Sequence, residues 1–528
     1  MDVKTATEIA VLHHALVGAA EEMGEALKRS AYSPNIKERR DYSCALFDAE
    51  GRLLAQAAHL PVHLGSMPAS VTSVLAHPSI NMKRRHTYAI VNDPFNGGTH
   101  LPDLTMVASA FSYGDRPRLL GYVANRAHHA DIGGAAPGSM SPQTDLIAEG
   151  LVIPPTMIKL EDDTSKDVWE LIKANTRTPA EREGDLWAQI AACDRGMHRL
   201  DEIVKRVGQS GFKRLCNALF KHSATLLRKN LQSLKAGTYT AEDTLDDDGA
   251  GTMDIPIKLE LTVSRSKITF DFSGSSAQVR GGVNAVRAVT ESAAFYSVLC
   301  LCDPKPPVNH GCFRCIEVIT QPGTVVDARR PAPVAGGNVE TSQRIVDVCF
   351  AALEQAAPRR IPAQSQGTMN NLTIGGTAPD GEPFTYYETI AGGCGAGANH
   401  DGADATHSHM TNTLNTPVEA LEHAYPLRVE EYSLRENSGG DGKHKGGNGV
   451  VRRVRTLVDA QFGLLTERRI HAPRGTGKGR PGRPGINQIL DVQGDTEQLD
   501  GKCSGELRAG EAIDIRTPGG GGCSPTRR

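Results

Sequence analysis

The sequence predicts an α+β fold of several lobes, rich in strands and loops, with a central helical hairpin. Three observations carry this. Gly (55) and Pro (30) together make about one residue in six of the 528, spread along the chain, which favours tight turns and irregular loops over long bundles. Helical periodicity is clearest across 180–235, from AEREGDLWAQIAACDRGMHRLDEIVKRVG to KRLCNALFKHSATLLRKNLQSLKAG. Two-residue alternation follows in IPIKLELTVSRSKITFDFSGSS, the pattern of a meander.

Taken in order, residues 5–31 read as a helix, because Ile9, Leu12, Leu16, Ala19, Met23 and Leu27 recur at helical spacing. Strands are expected at Ser43–Phe47 and Tyr88–Val91, with Asp48-Ala49-Glu50-Gly51 as a hairpin connection. The helical pair at 180–235 should end on a glycine cap at Lys235-Ala236-Gly237. Helices return at 285–302 and 340–357, and from about 363 onward the chain is glycine-rich strand and loop. These shifts divide the chain into 1–175, an α+β lobe; 176–237, the hairpin; 238–360, a second α+β lobe; and 361–528, a glycine-rich β/loop lobe. No solenoid-type repeat is evident.

A formal net charge of −3 gives no global electrostatic case for binding nucleic acid or a membrane surface. No apolar run approaches the roughly 18–20 residues that span a bilayer. The first residues read as an amphipathic helix rather than a secretory signal, so a cytoplasmic location is expected. Eleven scattered cysteines argue for reduced thiols. Cys300, Cys302, Cys312 and Cys315 form the tightest group; buried strand cysteines followed by a loop pair explain them more simply than a zinc site does.

The chemistry concentrates in the first quarter. Asp41 lies in KERRDYSCALFD, His100 and Asp103 in NDPFNGGTHLPD, and His128, His129 and Asp131 in NRAHHADIGG. Imidazoles and carboxylates together suit a borderline-to-hard divalent metal, which activates water or polarises a carbonyl. In a straight strand His100 and Asp103 would face opposite ways, but Pro102 biases the chain toward a turn that brings them to one side. Gly97 and Gly98 allow close backbone approach. His128 and His129 are adjacent and point to opposite faces, so at most one is expected to be a ligand. The other is left to orient a carboxylate, bind substrate or move a proton. Arg126 shares the face of His128 and Asp131 that of His129, and spacing alone does not choose.

Asn399, His400, Asp401, Asp404, His407 and His409 form a second polar cluster, read as structural or as a subunit contact. Glu340 and Glu388 read as satisfied polar positions, with a substrate-side role as the alternative. The terminal TPGGGG has no helix after it and is not a dinucleotide fingerprint. It is expected to pack as a turn against neighbouring backbone.

NDPFNGGTHLPDLT, NRAHHADIGGAAPGSMSP, FDFSGSS, GGNVETSQRIVD, YYETIAGGCGAGANHDGADATHSHMTNTLNTPVE and TPGGGGC together resemble the hydantoinase B/oxoprolinase family. That family includes the B subunits of ATP-dependent hydantoinases, the C-terminal half of 5-oxoprolinase and, more distantly, the alpha subunits of acetone carboxylases. The resemblance implies a two-part machine. A hydantoinase A-type actin-like ATPase would phosphorylate the carbonyl oxygen of a small cyclic amide, and this chain would hydrolyse the activated ring at a divalent metal (Zn, Mn or Fe). It implies Asp41, His100, Asp103 and His128 as metal ligands. His129 or Asp131 would then shuttle a proton, and Arg126 would pair with a substrate carboxylate or phosphate. The sequence departs from the family pattern at Cys315, where proline is expected, and after the terminal glycines, where relatives often carry an aromatic residue. No GxxxxGK[ST] segment is present; Gly475–Arg480 has the wrong spacing and lacks the Ser or Thr, so ATP is expected to be used on the partner in a hetero-oligomer. An acetone carboxylase-like alpha subunit and a non-catalytic partner that stabilises the ATPase are the alternatives. Hydantoin, N-methylhydantoin, 5-oxoproline and larger lactams are all compatible with the sequence.

Overall fold

Seven antiparallel strands organise the first part of the chain: β1 (Tyr42–Asp48), β2 (Leu53–Gln56), β3 (Thr87–Val91), β4 (Asp103–Phe111), β5 (Leu119–His128), β6 (Thr156–Leu160) and β7 (Asp163–Thr164), in the order β2-β1-β5-β4-β3-β6-β7. The computed structural model describes residues 3–57, 59–160 and 163–524. β1 and β3 are buried at every position, and β4 at all but its last. Both faces of the sheet are therefore covered, which explains why these strands read as continuous apolar runs rather than as alternation.

The covers are helices. One side carries α1 (Val3–Ser30), which leads into the short α2 (Pro34–Lys37); α3 (His63–Ala76) covers the other face. Further on come α4 (Leu146–Glu149), α5 (Lys166–Ala174), α6 (Pro179–Val207) and α7 (Gln209–Leu231). α6 packs along α1 and across β4 and β5. A Cβ on Gly196 of α6 would fall 2.4 Å from Met23 Sδ, so glycine is what lets α1 and α6 approach. The helical pair thus shares one apolar core with the first sheet. The expected cap at Gly237 is not where the pair ends. α7 stops at Leu231, and Gly237 opens the next strand, because Gln232–Ala236 turn back and Lys235 N–H donates to the Ala356 carbonyl.

The second sheet, β11-β10-β9-β8, uses β8 (Gly237–Asp247), β9 (Met253–Val263), β10 (Ile268–Asp271) and β11 (Ile316–Ile319). β9 alternates buried and exposed positions, and its buried face meets α10 (Ser342–Ala356). α8 (Arg287–Cys300) lies between α10 and α3, and α9 (His310–Phe313) packs on α7.

The last third holds two more sheets and a core of its own. One sheet runs β13-β12-β16-β20, from β12 (Asn371–Thr377), β13 (Pro383–Glu388), β16 (Ala460–Leu465) and β20 (Lys502–Leu507). The other runs β14-β15-β21-β18-β19, from β14 (Leu427–Arg435), β15 (Gly449–Thr456), β18 (Ile486–Leu490), β19 (Thr496–Leu499) and β21 (Ala512–Arg516). Beside them, glycine segments pack backbone to backbone. Gly447 N–H donates to Cys394 O, Gly520 N–H to Gly447 O, Gly440 N–H to Gly520 O and Gly521 N–H to Gln364 O. A Cβ on Gly520 would lie 2.0 Å from Cys394 O, so the terminal glycines are there for close approach.

A buried ionic network ties this part to the second sheet. Arg344 Nη2 meets Glu467 Oε2 at 2.9 Å, Lys502 Nζ meets Glu467 Oε1 at 2.6 Å, and Arg468 Nη2 meets Asp347 Oδ2 at 2.6 Å and Asp243 Oδ2 at 2.9 Å.

Candidate active site

The ends of the central strands of the first sheet gather the four ligand candidates. In the β4–β5 ladder Asp103 and His128 are direct partners. Asp41 immediately precedes β1, and its carbonyl accepts from His128 N–H at 3.0 Å. His100 reaches the group through the Pro102 turn, in which Asp103 N–H donates to His100 O at 3.2 Å. The loop before it is fixed by Asn92, whose Nδ2 donates to the carbonyls of Leu101 (2.8 Å) and Leu151 (2.9 Å). Gly98 passes so close to that strand end that a Cβ would sit 2.1 Å from Asn92 O.

The side chains meet in a buried pocket of charge. Asp103 Oδ2 lies 3.1 Å from Thr99 Oγ1, 3.2 Å from His63 Nε2 and 3.4 Å from His100 Nδ1. Burial opposes ionisation of Asp103, but His100 and His63 outweigh it and hold the carboxyl well below the usual range. Asp41 goes the other way: burial, with the like charge of Asp103, raises it to about 6 against the pull of Arg39. The His100 and His128 rings stand 5.1 Å apart. Burial and the His100 charge push His128 well below its ordinary value, so it is neutral and able to ligate.

Tyr387 of β13 covers the group from the C-terminal third, stacked on His128 at 4.5 Å and 10°. Asn35 Nδ2 lies 3.4 Å from His128 Nδ1. Arg39 donates to Asn35 Oδ1 (3.2 Å), Tyr387 O (3.1 Å) and Thr389 Oγ1 (2.9 Å), with Asp41 Oδ2 3.6 Å away. Two ring nitrogens, His100 Nε2 and His128 Nε2, are buried without a hydrogen-bond partner. The four candidates are gathered but not closed: among the described residues, no three His, Cys, Asp or Glu side chains are arranged as a finished metal-ligand group. Asp103 Oδ2 is turned toward His63, Thr99 and His100 Nδ1 instead.

Arg126, His129 and Asp131 are placed elsewhere. Arg126 turns toward α3, donating to Thr105 Oγ1 (2.8 Å), Ser66 Oγ (2.6 Å) and Ser70 Oγ (2.7 Å), a fully buried guanidinium with its donors already directed at hydroxyls. His129 faces α6, with Nε2 3.0 Å from Gln189 Oε1, and burial and Arg182 push it down to about 4. Asp131 accepts from Arg177 Nη1 (2.8 Å), Arg177 N–H (2.9 Å), Gly133 N–H (3.2 Å) and Gly138 N–H (3.3 Å), which makes it the organiser of the glycine turn. None of the three side chains bonds directly to the His100–His128 group; Arg126 comes nearest, with Nη1 3.5 Å from the Thr99 Oγ1 that donates to Asp103.

Sequence reasoning missed His63, Thr99, Asn35, Arg39 and Tyr387. His63 is a lone histidine at a helix start, and Tyr387 is more than two hundred residues away; neither carries a local signal. Glu388 is satisfied by Tyr386 OH (2.5 Å), Thr416 N–H (2.8 Å) and Arg452 (3.0 Å). Glu340, in a π-helical turn (Gly337–Thr341), accepts from Asn371 Nδ2 at 2.7 Å, and Asn371 Oδ1 accepts from Tyr387 OH at 2.9 Å. The second polar cluster splits: Asp401 and Asp404 brace the backbone of Lys445 and Asn448, while His407 and His409 line a cavity. All of the cysteines are free, and the sulfurs of Cys302, Cys312 and Cys315 each lie nearest a backbone carbonyl.

The fold and this histidine–aspartate group define a mixed helix-and-sheet protein with a buried polar centre under a C-terminal cover. The chain belongs to the hydantoinase B/oxoprolinase family, matched over residues 5–526. It is 37% identical to 5-oxoprolinase 1 of Arabidopsis thaliana, over 99% of this chain but 42% of that one. It is 32% identical to a protein of Pseudomonas sp. provisionally named as the B component of a D-/L-hydantoinase, over 97% of this chain and 89% of that one. Its structure is similar to that of ATP-dependent caprolactamase from Pseudomonas jessenii (TM-score 0.90, 27% identity, 98% of this chain and 91% of the other). Its relatives thus include a 5-oxoprolinase and a hydantoinase component, and its fold is shared with a caprolactamase described as ATP-dependent. Among the described residues, no helix is long and apolar enough to cross a membrane.

Proposed function

We propose that this chain is the metal-dependent hydrolytic subunit of an ATP-dependent cyclic amidase, acting in a cytoplasmic hetero-oligomer with an actin-like ATPase subunit on a carbonyl-phosphorylated lactam or hydantoin ring. The observation that carries the reading is the pair of buried, unpartnered nitrogens, His100 Nε2 and His128 Nε2, beside the Asp41 and Asp103 carboxyls. A neutral His128, a second buried imidazole with an unpartnered nitrogen and two carboxylates in one pocket fit a divalent cation (Zn, Mn or Fe). Asp41, His100, Asp103 and His128 would hold it. Bound there, the metal would supply Lewis-acid polarisation and an activated water.

The chain's own residues prepare that centre. His63 and Thr99 hold Asp103 ionised. Asn35 and the Tyr387 ring fix the plane of His128 from two sides. Arg39 brings a positive charge beside Asp41, where it can offset negative charge on an activated substrate. Phosphorylating the ring carbonyl oxygen would remove amide resonance and create a leaving group, and a partner would do this, since this chain has no phosphate-cradling loop of Walker type. The two-part reading is supported by the relative provisionally named as the B component of a hydantoinase, a name that implies a companion component.

Asp103→Ala tests the reading. Co-purified with the ATPase subunit, it should assemble normally, lose bound metal and abolish ring opening, and the parent chain alone should show no ATP hydrolysis. Normal turnover by the D103A complex would make the site structural.

A further inference from the structure

A cavity of about 430 Å³ opens between α8, α10 and the segment around 394–409. Its wall is apolar, with Tyr296, Phe350, Leu301 and Ile361. Its floor is polar and unsatisfied. His409 Nε2 is buried without a hydrogen-bond partner, and Asp347 Oδ1, behind the cavity lining, is 4.0 Å from it, too far to bond. Ser408 Oγ and both ring nitrogens of His407 are likewise buried and unpartnered. His409 is held at φ +58°, a left-handed conformation that a non-glycine residue rarely adopts and that collects at functional sites. Its ring is gripped edge-to-face by Phe350 (5.3 Å, 84°) and Tyr296 (6.0 Å, 70°).

The floor carries no unpaired charge. The other oxygen of Asp347 takes Arg468 at 2.6 Å and Arg344 at 3.4 Å. Burial pushes His407 and His409 down to about 4, so both rings are neutral near pH 7 and each presents a donor and an acceptor. Arg360 at the mouth is spent on Ser233 Oγ and the Leu301 carbonyl.

We propose that this cavity is a binding site for a small neutral ring carrying an N–H and a C=O on one edge, the chemistry of a lactam or cyclic ureide. Its volume lies in the range of small-molecule sites, and an apolar wall with a few convergent polar groups is their usual lining. The His407 and His409 rings and the Ser408 hydroxyl offer the acceptor for the ring N–H and the donor for the carbonyl. The segment that forms the floor also leads to the catalytic centre. Thr413 Oγ1 lies 2.8 Å from Thr389 Oγ1, which accepts from Arg39, and Leu414 N–H donates to Arg39 O at 2.9 Å. The cavity therefore holds the ring substrate before it reaches the His100–His128 group. That role rests on the cyclic amidase reading; the binding itself does not.

The test uses Cys300, an exposed thiol on the cavity lining. Alkylation of Cys300 is followed by peptide mass spectrometry in the purified full chain, with and without hydantoin or 2-pyrrolidinone. Ligand should slow labelling of the parent by roughly 10-fold at saturation, as expected of a site filled about nine-tenths of the time. Ala398→Phe, which fills the cavity, and His409→Asn, which alters its floor, should both lose this protection while keeping the parent melting temperature. In the reconstituted complex A398F should raise KM roughly 10-fold with kcat within about twofold, the pattern of lost substrate binding. No protection in the parent at millimolar ring, or equal protection in A398F, overturns the proposal. Asp103→Ala separates the two readings: it should keep Cys300 protection while losing turnover. If the parent complex opens no ring yet Cys300 is protected, only the catalytic reading fails.

Discussion

His63→Ala examines how the buried carboxylate at position 103 is kept charged. His63 Nδ1 lies 2.8 Å from Ser43 Oγ and Nε2 lies 3.2 Å from Asp103 Oδ2. An ionised carboxylate only accepts, so Nε2 carries the proton and Nδ1 of the neutral ring takes the Ser43 hydroxyl. Burial alone would raise Asp103; His100 and His63 reverse that. A hydrogen bond to a charged group contributes about 1.5–3 kcal/mol, and losing it should raise the Asp103 carboxyl. In the proposed centre Asp103 would ligate only when deprotonated. Its folded-state pKa is depressed and H63A lessens the depression, so the acid limb of metal binding should move to higher pH. Loss of a residue that orients a ligand typically weakens metal affinity about 10–100-fold. Competition against a chromophoric chelator at pH 7 and pH 5 measures both effects, with His63→Asn as a variant that retains a donor and with thermal melts to confirm folding. Parent-like metal affinity of folded H63A at both pH values would refute the reasoning.

Burial holds the Glu340 carboxyl at about 7, above its usual 4.5, so the folded state keeps a proton that the unfolded chain releases. Its contribution to stability is full below about pH 4.5 and lost as pH rises through 7; thermal melts between pH 5 and 8 should show this fall in the parent and not in Glu340→Gln. Arg344→Met leaves Glu467 to Lys502, and Asp347 and Asp243 to Arg468, and should destabilise in urea unfolding by less than the cost of about 3–5 kcal/mol for a fully unpaired buried charge. Gly520→Ala places a methyl 2.0 Å from Cys394 O and should abolish soluble protein or lower the melting temperature by many degrees. Gly211→Ala, inside α7 with nothing nearer than 3.8 Å, should instead raise stability by about 0.5–1 kcal/mol.

Much of the secondary structure was legible because its periodicities are strong. The Val3–Ser30 helix, the β1–β2 hairpin and the α6–α7 pair all lie within a few residues of expectation. The opposite facing of His128 and His129 was legible for the same reason, since it follows from the pleat alone. The stop at Leu231 was not, because it depends on Lys235 meeting Ala356, a contact far along the chain. The roles of Arg126, His129 and Asp131 were not legible either. Each is a residue type at home in an active site, and what places it elsewhere is a partner on another element: Ser66 and Ser70 on α3, Gln189 on α6, Arg177 between α5 and α6. The glycine segments hide their structure for another reason. Their hydrogen bonds run between distant stretches, so no local period records them.

The unpaired nitrogens give the site its meaning. A buried polar atom left without a partner costs about 1–3 kcal/mol, and His100 Nε2 and His128 Nε2 stand unpaired side by side. His13, His59, His77 and His129 also leave one ring nitrogen unpaired; what sets His100 and His128 apart is that their rings stand 5.1 Å apart beside the Asp41 and Asp103 carboxyls. Here one nitrogen of each ring is close to a neighbour: His100 Nδ1 at 3.4 Å from Asp103 and His128 Nδ1 at 3.4 Å from Asn35. The opposite nitrogen is left over in both. That arrangement fixes ring orientation and spends nothing on the second position, as ligand histidines do when an outer partner sets their tautomer. The cover acts in the same direction. Tyr387 stacks on His128, its hydroxyl is tied through Asn371 to Glu340, and Arg39 clamps the Tyr387 carbonyl. The centre therefore takes shape only when the C-terminal third has folded onto the first sheet, which ties the exclusion of water from this chemistry to the completion of the fold.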